Sequence, residues 1–328
     1  MRIGIVHSGV IPARTYGGTE RVIWGLGKAL AEMGHDVTYF VKEGSSCPFA
    51  NVVFLDFPIE QPDRLCDGLD LIHFQFDPKF EGELPIPHLV TIHGNSRDHR
   101  SYDINSVFVS EDHASRHGSS AYVHNGLDWE DYGSVNLNKS GYQAHFLAKA
   151  AWKVKNVKGA IDVITYAKGW RLDVLGGHRL NLNMGFRFTF SPKVNFHGMV
   201  GGEKKQQLMR SSRALIFPVR WSEPFGLAII ESLYHGCAVF GTPYGSLAEL
   251  VPRDVGLLGT DRQTLSDGLQ DIDSFRPERC HAYVRDLFDH RTMAASYVQY
   301  YEQILGGETI NSNPPSLTDI PEKYLDWS

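Results

Sequence analysis

The sequence has 328 residues, of which 42% are hydrophobic and 21% charged, so it can form packed cores and is neither disordered nor collagen-like. At about 100–200 residues per domain, this length predicts two domains. Apolar runs such as residues 1–6 and 214–219 are far shorter than the ~18 residues of a membrane-spanning helix, and no export signal precedes the first run. The four cysteines lie far apart and form no Cys-x-x-Cys pair. We therefore expect a cytoplasmic protein without a cysteine-based metal site.

Charge is divided unevenly along the chain. Residues 1–137 contain 10 Lys and Arg against 19 Asp and Glu, whereas residues 138–328 contain 22 against 19. An acidic surface repels nucleic acid and anionic lipid at close range. We therefore expect no nucleic-acid partner and at most peripheral contact with a membrane, and we expect an anionic ligand to bind the second part.

Short apolar runs alternate with helical patterns along the first part, which is typical of parallel α/β units. A helix is predicted after the first strand, because Val22, Leu26 and Leu30 share one face. Gly34 follows as a stop signal, and Thr19 is the predicted N-cap. The predicted strands of this part span residues 3–7, 37–41, 71–74, 89–93, 107–110 and 121–124.

A polar stretch at residues 131–141 is interpreted as a linker, after which the alternation starts again. A last helix is predicted over residues 292–305, followed by a tail that could return over the first domain. We therefore predict an N-terminal Rossmann-like domain at 1–137, a C-terminal Rossmann-like domain at 138–291, and a terminal helix and tail at 292–328. The predicted strands of the second part span residues 145–148, 172–175, 194–197, 214–218, 238–241 and 256–258.

The most informative stretch of the sequence is Glu223-Pro224-Phe225-Gly226-Leu227, which lies between a predicted strand and a predicted helix. Pro224 suits the first turn of a helix. The backbone N–H groups of Phe225, Gly226 and Leu227 would then lie at the positive end of that helix. Gly226 also allows a ligand to approach the main chain closely. Together these features predict a phosphate site.

A second glutamate, Glu231, follows Glu223 by two helical turns. The two carboxylates would flank a bound diphosphate and accept hydrogen bonds from a sugar and a ribose; the alternative is an amphipathic helix with two solvated glutamates. This Glu-x7-Glu pattern resembles that of the retaining GT-B nucleotide-sugar glycosyltransferases, specifically family 4, and the resemblance extends over residues 1–305. It implies two Rossmann-like domains that face each other across a cleft, with the donor mainly on the second domain and the acceptor on the first.

Two positions in the first part match the same family. The glycines of Tyr16-Gly17-Gly18 resemble a loop that approaches the donor phosphate and the acceptor, and a tight turn is the alternative. Paired glycines before a helix N-terminus also predict an anion pocket on physical grounds. His93 ends a predicted strand and matches a histidine that faces the reacting sugar, and a structural histidine is the alternative.

A basic loop in the second part matches the cations that the family places beside the leaving diphosphate. By this resemblance Lys149 takes the position of an arginine and Lys155 that of a lysine, with Lys153 and Lys158 as alternative alignments. Two cations there would stabilise the charge that develops as the glycosidic bond breaks.

Two further segments bear on whether the protein binds a nucleotide base or a metal ion. Gly198-Met199-Val200 resembles the turn against which the family's nucleotide base stacks, so its backbone groups would contact the edge of the base. Asp271-Ile-Asp273 has the form of a metal-binding Asp-x-Asp, but it lies in a late polar region and is interpreted as a solvated face. No metal or other cofactor is expected.

The resemblance implies that a hexose moves from a UDP- or GDP-linked donor to a hydroxyl of a sugar, a lipid-linked glycan or a small molecule. The anomeric configuration would be retained, no protein base is assigned, and glycan or glycoconjugate biosynthesis is the expected context. A nucleotide-sugar epimerase, a sugar phosphorylase and a noncatalytic nucleotide-sugar-binding subunit are the alternatives. The predicted catalytic residues are Lys155, Lys149, Glu223 and His93, and the predicted donor-binding residues are Gly17, Gly18, Gly198, Met199, Val200, Pro224, Phe225, Gly226, Leu227 and Glu231.

Overall fold

The chain forms two compact units, each built around a parallel sheet. The first unit consists of Met1–Trp129 and Phe288–Ile320, and the second of Glu130–Leu287 and Pro321–Ser328. The chain therefore leaves the first unit after Trp129, returns to it at Phe288 and leaves it again after Ile320. The computed structural model describes residues 1–13, 17–59, 65–79, 84–182 and 187–328.

Six parallel strands form the sheet of the first unit. They are β1 (Arg2–Val6), β2 (Asp36–Val41), β3 (Asn51–Phe54), β4 (Leu71–Phe74), β5 (His88–Ile92) and β6 (Ser106–Phe108). Their order is β3-β2-β1-β4-β5-β6, so the strand order reverses direction at β1. Ligands of open α/β sheets bind at the carboxyl ends of the strands next to such a reversal.

Helices cover this sheet. They are α1 (Gly18–Glu32), α2 (Glu111–Ser115) and, from the distant end of the chain, α9 (His290–Leu305). A buried polar network joins α9 to the sheet: the His73 ring bonds Tyr301 Oη at 2.7 Å and Thr91 Oγ1 at 2.7 Å, and that Thr91 oxygen lies 2.9 Å from Tyr297 Oη. Because polar groups inside a core need partners, this network requires α9 to pack in the first unit.

The second unit repeats the plan with a sheet in the order β11-β8-β7-β12-β13-β14 and an added antiparallel hairpin of β9 and β10. Its strands are β7 (Gln143–Leu147), β8 (Arg171–Leu175), β9 (Leu180–Asn181), β10 (Arg187–Phe188), β11 (Val194–Phe196), β12 (Ala214–Phe217), β13 (Ala238–Gly241) and β14 (Gly256–Leu258). Every residue of β12 and of β13 is buried, as expected for central strands of a parallel sheet that is covered on both faces.

Six short helices accompany the strands of the second unit. They are α3 (Val157–Tyr166), α4 (Gly202–Ser211), α5 (Leu227–Tyr234), α6 (Leu247–Leu250), α7 (Arg262–Gln270) and α8 (Pro277–Leu287). Within the described ranges, no helix of either unit combines the length and the apolar character that crossing a bilayer requires.

Most predicted strands are confirmed, and their observed ends lie within two residues of the predicted ones. The predicted strand at 121–124 is wrong: only Tyr122 forms a bridge, to Phe108. The predicted N-cap Thr19 is also wrong, because the helix begins two residues earlier than that cap implies, at Gly18, and Gly17 caps it without a side-chain bond. Strand β3 was not predicted, although Val52-Val53-Phe54 is an apolar run; it lies at the edge of the sheet and its side chains are mostly exposed.

Acid should weaken the fold through His73. Burial lowers the pKa of His73 to about 3, so the ring stays neutral in the folded state, whereas an unfolded chain binds a proton there below about pH 6.5. Its contribution to stability is therefore complete above pH 6.5 and declines as the pH falls from 6.5 towards 3, by up to about 1.4 kcal/mol per pH unit.

Urea unfolding at pH 7.5, 6.0 and 5.0 measures this slope in the wild type and in a His73→Asn variant. We expect the variant to be less stable at pH 7.5 but to lose less stability on acidification. Equal slopes in the two proteins would show that His73 does not contribute to the acid sensitivity.

Candidate functional site

The loop between β12 and α5 contains the strongest sequence motif. Helix α5 begins at Leu227, and its N-cap Gly226 has φ +86°, a left-handed conformation that side-chain-bearing residues rarely adopt. The prediction that Pro224 occupies the first helical turn is therefore wrong: the proline lies ahead of the cap. The N-terminus of α5, with its positive partial charge, remains directly after Glu223-Pro224-Phe225 in the chain.

Glu223 and Lys155, which are 68 positions apart in the sequence, form an ion pair. Lys155 Nζ lies 2.6 Å from Glu223 Oε2, and the Trp221 indole N–H donates to the same oxygen at 2.7 Å. The two charged side chains are only 12% and 7% exposed. The Lys155 ammonium also lies over the rings of Trp221 and Phe217, at 4.9 and 5.3 Å from their centroids. Aromatic faces thus hold the cation from one side and a carboxylate from another.

The backbone of Glu223 is fixed by the loop that follows β13. Gly245 has φ +65° and forms a parallel bridge with Glu223, and a Cβ at position 245 would lie 2.3 Å from the Glu223 nitrogen. Ser246 adds a backbone bond to the Glu223 carbonyl at 3.0 Å, and its hydroxyl donates to the Phe225 carbonyl at 2.6 Å. Only glycine permits this close approach of the two loops.

The loop that carries Lys155 is tied to the same region. It forms a 3-10 turn over Lys153–Lys155, and Asn156 then caps α3 through a bond from Gly159 N–H to its Oδ1 at 3.0 Å. The Asn156 amide also donates to the Pro218 carbonyl at 2.9 Å, just beyond β12. Lys155 is therefore held at both its backbone and its ammonium group.

Lys149 occupies a different environment. It is exposed, and its ammonium lies 5.8 Å from the ring centroid of Trp152. Among the described contacts, none joins Lys149 to Lys155 or to Glu223. Its assignment as the second cation stays a prediction.

Glu231 is buried on α5, only 2% exposed, and has its own partners. Its Oε1 lies 2.5 Å from Lys205 Nζ and accepts a bond from Tyr132 Oη at 2.6 Å. The alternative of two solvated glutamates is therefore wrong, since both Glu223 and Glu231 are buried and ion-paired. Lys205 and Tyr132 were not predicted as partners of Glu231, because nothing in the sequence indicates these pairings.

The turn predicted to contact the base follows β11. Gly198 has φ +72°, and its N–H donates to the Gly177 carbonyl at 3.0 Å, in an isolated bridge. Met199 is 47% exposed and Val200 is half-buried. The turn thus presents an accessible apolar surface, and its role with a nucleotide stays a prediction.

In the first unit, three polar residues each follow the last residue of a parallel strand: His7 after β1, Gln75 after β4 and His93 after β5. His93 Nε2 lies 2.9 Å from Gln75 Oε1, and His7 Nε2 lies 3.9 Å from Glu20 Oε1. Desolvation, with a smaller effect of the His7 charge, lowers the pKa of His93 to about 3, so its ring is neutral at physiological pH. His7, Gln75 and Glu20 were not predicted, although two of them share with His93 the position directly after a strand.

The paired glycines lie beside this cluster. Gly17 is the N-cap of α1 and Gly18 its first residue, while Tyr16 lies outside the described residues. A Cβ at Gly17 would lie 2.6 Å from Glu20 Oε2, so the glycine leaves room for that carboxylate at the start of the helix. Among the described residues of both units, no three His, Cys, Asp or Glu side chains form a group suited to a metal ion.

The second unit matches a known family. Residues 142–272 match the family described as glycosyl transferases group 1. This range contains the Lys155–Glu223 pair, the buried Glu231 and the turn at Gly198. Among curated protein sequences, none is significantly similar to the chain.

Solved structures resemble the chain over nearly its whole length. AviGT4, a glycosyltransferase involved in avilamycin A biosynthesis, is 22% identical with a TM-score of 0.72, over 94% of this chain and 99% of AviGT4. Sucrose-phosphate synthase from Thermosynechococcus elongatus is 17% identical with a TM-score of 0.70, over 94% and 100%. HepE from Anabaena, in complex with UDP-glucose, is 15% identical with a TM-score of 0.66, over 93% and 100%. The chain has the GT-B fold of two Rossmann-like domains, and with the family match this makes it an enzyme of the glycosyltransferase class.

The close contact between Gly245 and Glu223 predicts that a side chain at position 245 destabilises the protein. A Gly245→Ala substitution should lower the melting temperature, because the new Cβ meets the Glu223 backbone and because alanine at positive φ is strained. Gly141→Ala is the matched control: its φ is +77°, but a Cβ there meets nothing within 4 Å.

Thermal and urea unfolding of the two variants separates the cost of the steric contact from the cost of placing alanine at positive φ. We expect Gly245→Ala to be less stable than Gly141→Ala by roughly 1–3 kcal/mol, the usual cost of overpacking. Equal destabilisation would mean that the Glu223 loop moves away from position 245 at little cost.

Proposed function

We propose that this glycosyltransferase belongs to family 4 and transfers a hexose from a UDP- or GDP-linked donor to an acceptor hydroxyl, with retention of configuration and without a metal ion. The observation that carries the proposal is the Lys155–Glu223 ion pair, which lies beside the N-terminus of α5 in the chain segment that matches glycosyl transferases group 1. HepE, which has the same fold, binds UDP-glucose, and this supports a nucleotide sugar as the donor.

The diphosphate of the donor binds at the N-terminus of α5 and at Lys155. An ammonium group has three donors, and the bond to Glu223 uses one of them, so Lys155 can bind a phosphate oxygen while it keeps its carboxylate partner. Its charge and the helix terminus then stabilise the negative charge that develops on the leaving phosphate. Lys149, from the same loop, is the second cation of the proposal.

The two buried glutamates bind different hydroxyl groups of the donor. Glu223 accepts hydroxyl hydrogen bonds from the hexose, and Glu231 accepts them from the ribose. The bonds from Lys205 and Tyr132 to Oε1 of Glu231 hold this carboxylate in place on α5. The backbone of Gly198, Met199 and Val200 contacts the base, and the leaving phosphate takes the acceptor proton.

The acceptor binds on the first unit, where Gly17 and Gly18 admit both the acceptor and the donor phosphate and His93 faces the reacting sugar. A neutral His93 offers a hydrogen bond without a charge, which suits a sugar hydroxyl near a nucleotide sugar. The excess of acidic residues in this part of the chain disfavours an anionic acceptor. We propose an uncharged polyhydroxyl acceptor in the cytoplasm, with at most peripheral contact with a membrane.

A panel of UDP- and GDP-linked hexoses tests the function. One donor should raise the melting temperature increasingly as its concentration exceeds its Kd, and it should be transferred or slowly hydrolysed. NMR of the product should show the anomeric configuration of the donor. An inverted product would contradict retention, and stabilisation by a donor without turnover would favour a noncatalytic subunit.

Two further arms of this experiment separate the alternatives. Addition of EDTA should leave turnover unchanged, and restoration of lost activity by Mn²⁺ would contradict the metal-independent mechanism. Release of a sugar phosphate on addition of inorganic phosphate would indicate a phosphorylase, and conversion of the donor to its epimer would indicate an epimerase.

Lys155→Ala should lower kcat by roughly 10²-fold or more, the usual effect of removing one group that stabilises charge in the transition state. Lys168→Ala is the control, because Lys168 is an exposed lysine of the same unit. Steady-state kinetics with saturating donor measures the effect. Turnover of Lys155→Ala close to that of Lys168→Ala would exclude Lys155 from catalysis.

A further inference from the structure

The last eight residues of the sequence, which we term the terminal segment (Pro321–Ser328), pack on the second unit beside the candidate donor site. The Leu325 N–H donates to the Arg220 carbonyl at 2.9 Å, and Arg220 Nε donates back to the Leu325 carbonyl at 2.8 Å. The guanidinium of Arg220 also lies 5.5 Å from the ring centroid of Tyr324. The terminal segment thus pairs with the residue that precedes Trp221.

Two further contacts attach the terminal segment to the loops around the site. Tyr244 Oη donates to the Asp326 carbonyl at 2.9 Å, next to Gly245 in the chain. The Trp327 ring lies against α3 at Gly159, where a Cβ would come within 2.9 Å of the indole. Helix α3 is the helix that Asn156 caps, directly after Lys155.

The end of the terminal segment is held as well. The Ser328 N–H donates to the Thr260 carbonyl at 3.2 Å, and the Arg262 N–H donates to the Ser328 carbonyl at 2.9 Å. These bonds fix the segment to the start of α7. Bonds on both sides of Trp327 keep its ring on α3.

The contacts of Leu325, Asp326 and Trp327 are with residues that lie one to four positions from Trp221, Gly245 and Lys155 in the chain. Arg220 is the central connection: its N–H donates to the Val154 carbonyl at 2.7 Å, in the loop of Lys155, while its carbonyl accepts from Leu325. The next residue, Trp221, donates to Glu223. The terminal segment therefore contacts the loops of Arg220 and Tyr244 directly, and it reaches the Lys155 loop indirectly, through Arg220 and through Gly159 of α3.

We propose that the terminal segment positions the donor site: it fastens the Lys155 loop, the Arg220-Trp221 loop and the Tyr244-Gly245 loop to one another, so that the diphosphate-binding cation and the sugar-binding carboxylate are preorganised. No atom of the segment need touch the donor. The proposal rests on the proposed function for the identity of the ligand, but the ordering of the loops is a property of the second unit alone.

The test compares the full chain with a chain that ends at Ile320, and with Trp327→Ala, Trp327→Phe and Glu322→Ala. Glu322 is exposed on the terminal segment and is the matched control. The truncated chain and Trp327→Ala should show a donor kcat/KM lowered by roughly 10-fold to 10²-fold, the scale of a small misplacement of reacting groups. The acceptor KM should stay within about twofold. Trp327→Phe keeps an aromatic ring on Gly159 and should recover most of the loss.

Hydrogen exchange of the same proteins without ligand gives a readout that does not depend on activity. Faster exchange of the Arg220 amide and of residues 153–156, with unchanged exchange in the strands of the second unit, would support the proposal even if no donor in the panel were turned over. Unchanged exchange at Arg220 in the truncated chain would overturn it. An unchanged donor kcat/KM, or an equal loss for donor and acceptor together with faster exchange throughout the unit, would also overturn it.

Discussion

The ion pair between Lys155 and Glu223 is the interaction on which the donor site depends. A lone ammonium group buried against aromatic rings would be costly, and so would a lone carboxylate. Each side chain makes the burial of the other tolerable, and the Trp221 indole adds a bond to the shared oxygen. The surrounding glycine conformations, loop bridges and caps can be understood as the means by which the backbone holds these two groups 2.6 Å apart.

The strands and helices around this ion pair could largely be predicted from the sequence, because they depend on local patterns. The alternation of apolar runs predicted both sheets, and the Glu-Pro-Phe-Gly-Leu motif predicted a glycine at the start of a helix in the region that carries the site. The prediction of secondary structure failed at two places, the start of α5 and residues 121–124. Helix α5 begins at Leu227 rather than at Pro224, since Gly226 has a left-handed conformation and is the N-cap. The strand expected at 121–124 forms only a bridge.

Partners distant in sequence could not be predicted at all. Lys205 and Tyr132 reach Glu231 from separate parts of the chain, and neither has a motif. The polar residues after β1, β4 and β5 could have been found, because the carboxyl ends of neighbouring parallel strands meet at one edge of a sheet. His93 was selected by the resemblance and by its position at the end of a strand, but the same position was not searched on the adjacent strands, where His7 and Gln75 occupy it.

The return of α9 to the first unit has a consequence for the order of folding. During synthesis the ribosome releases the whole contiguous part of the second unit, up to Leu287, before the helix that completes the first sheet exists. Until then the His73 ring lacks the Tyr301 hydroxyl that bonds it in the finished protein. The unit encoded first therefore cannot be completed until most of the second unit has been synthesised. Residues 1–129 expressed alone would be an incomplete domain unless joined directly to residues 288–320.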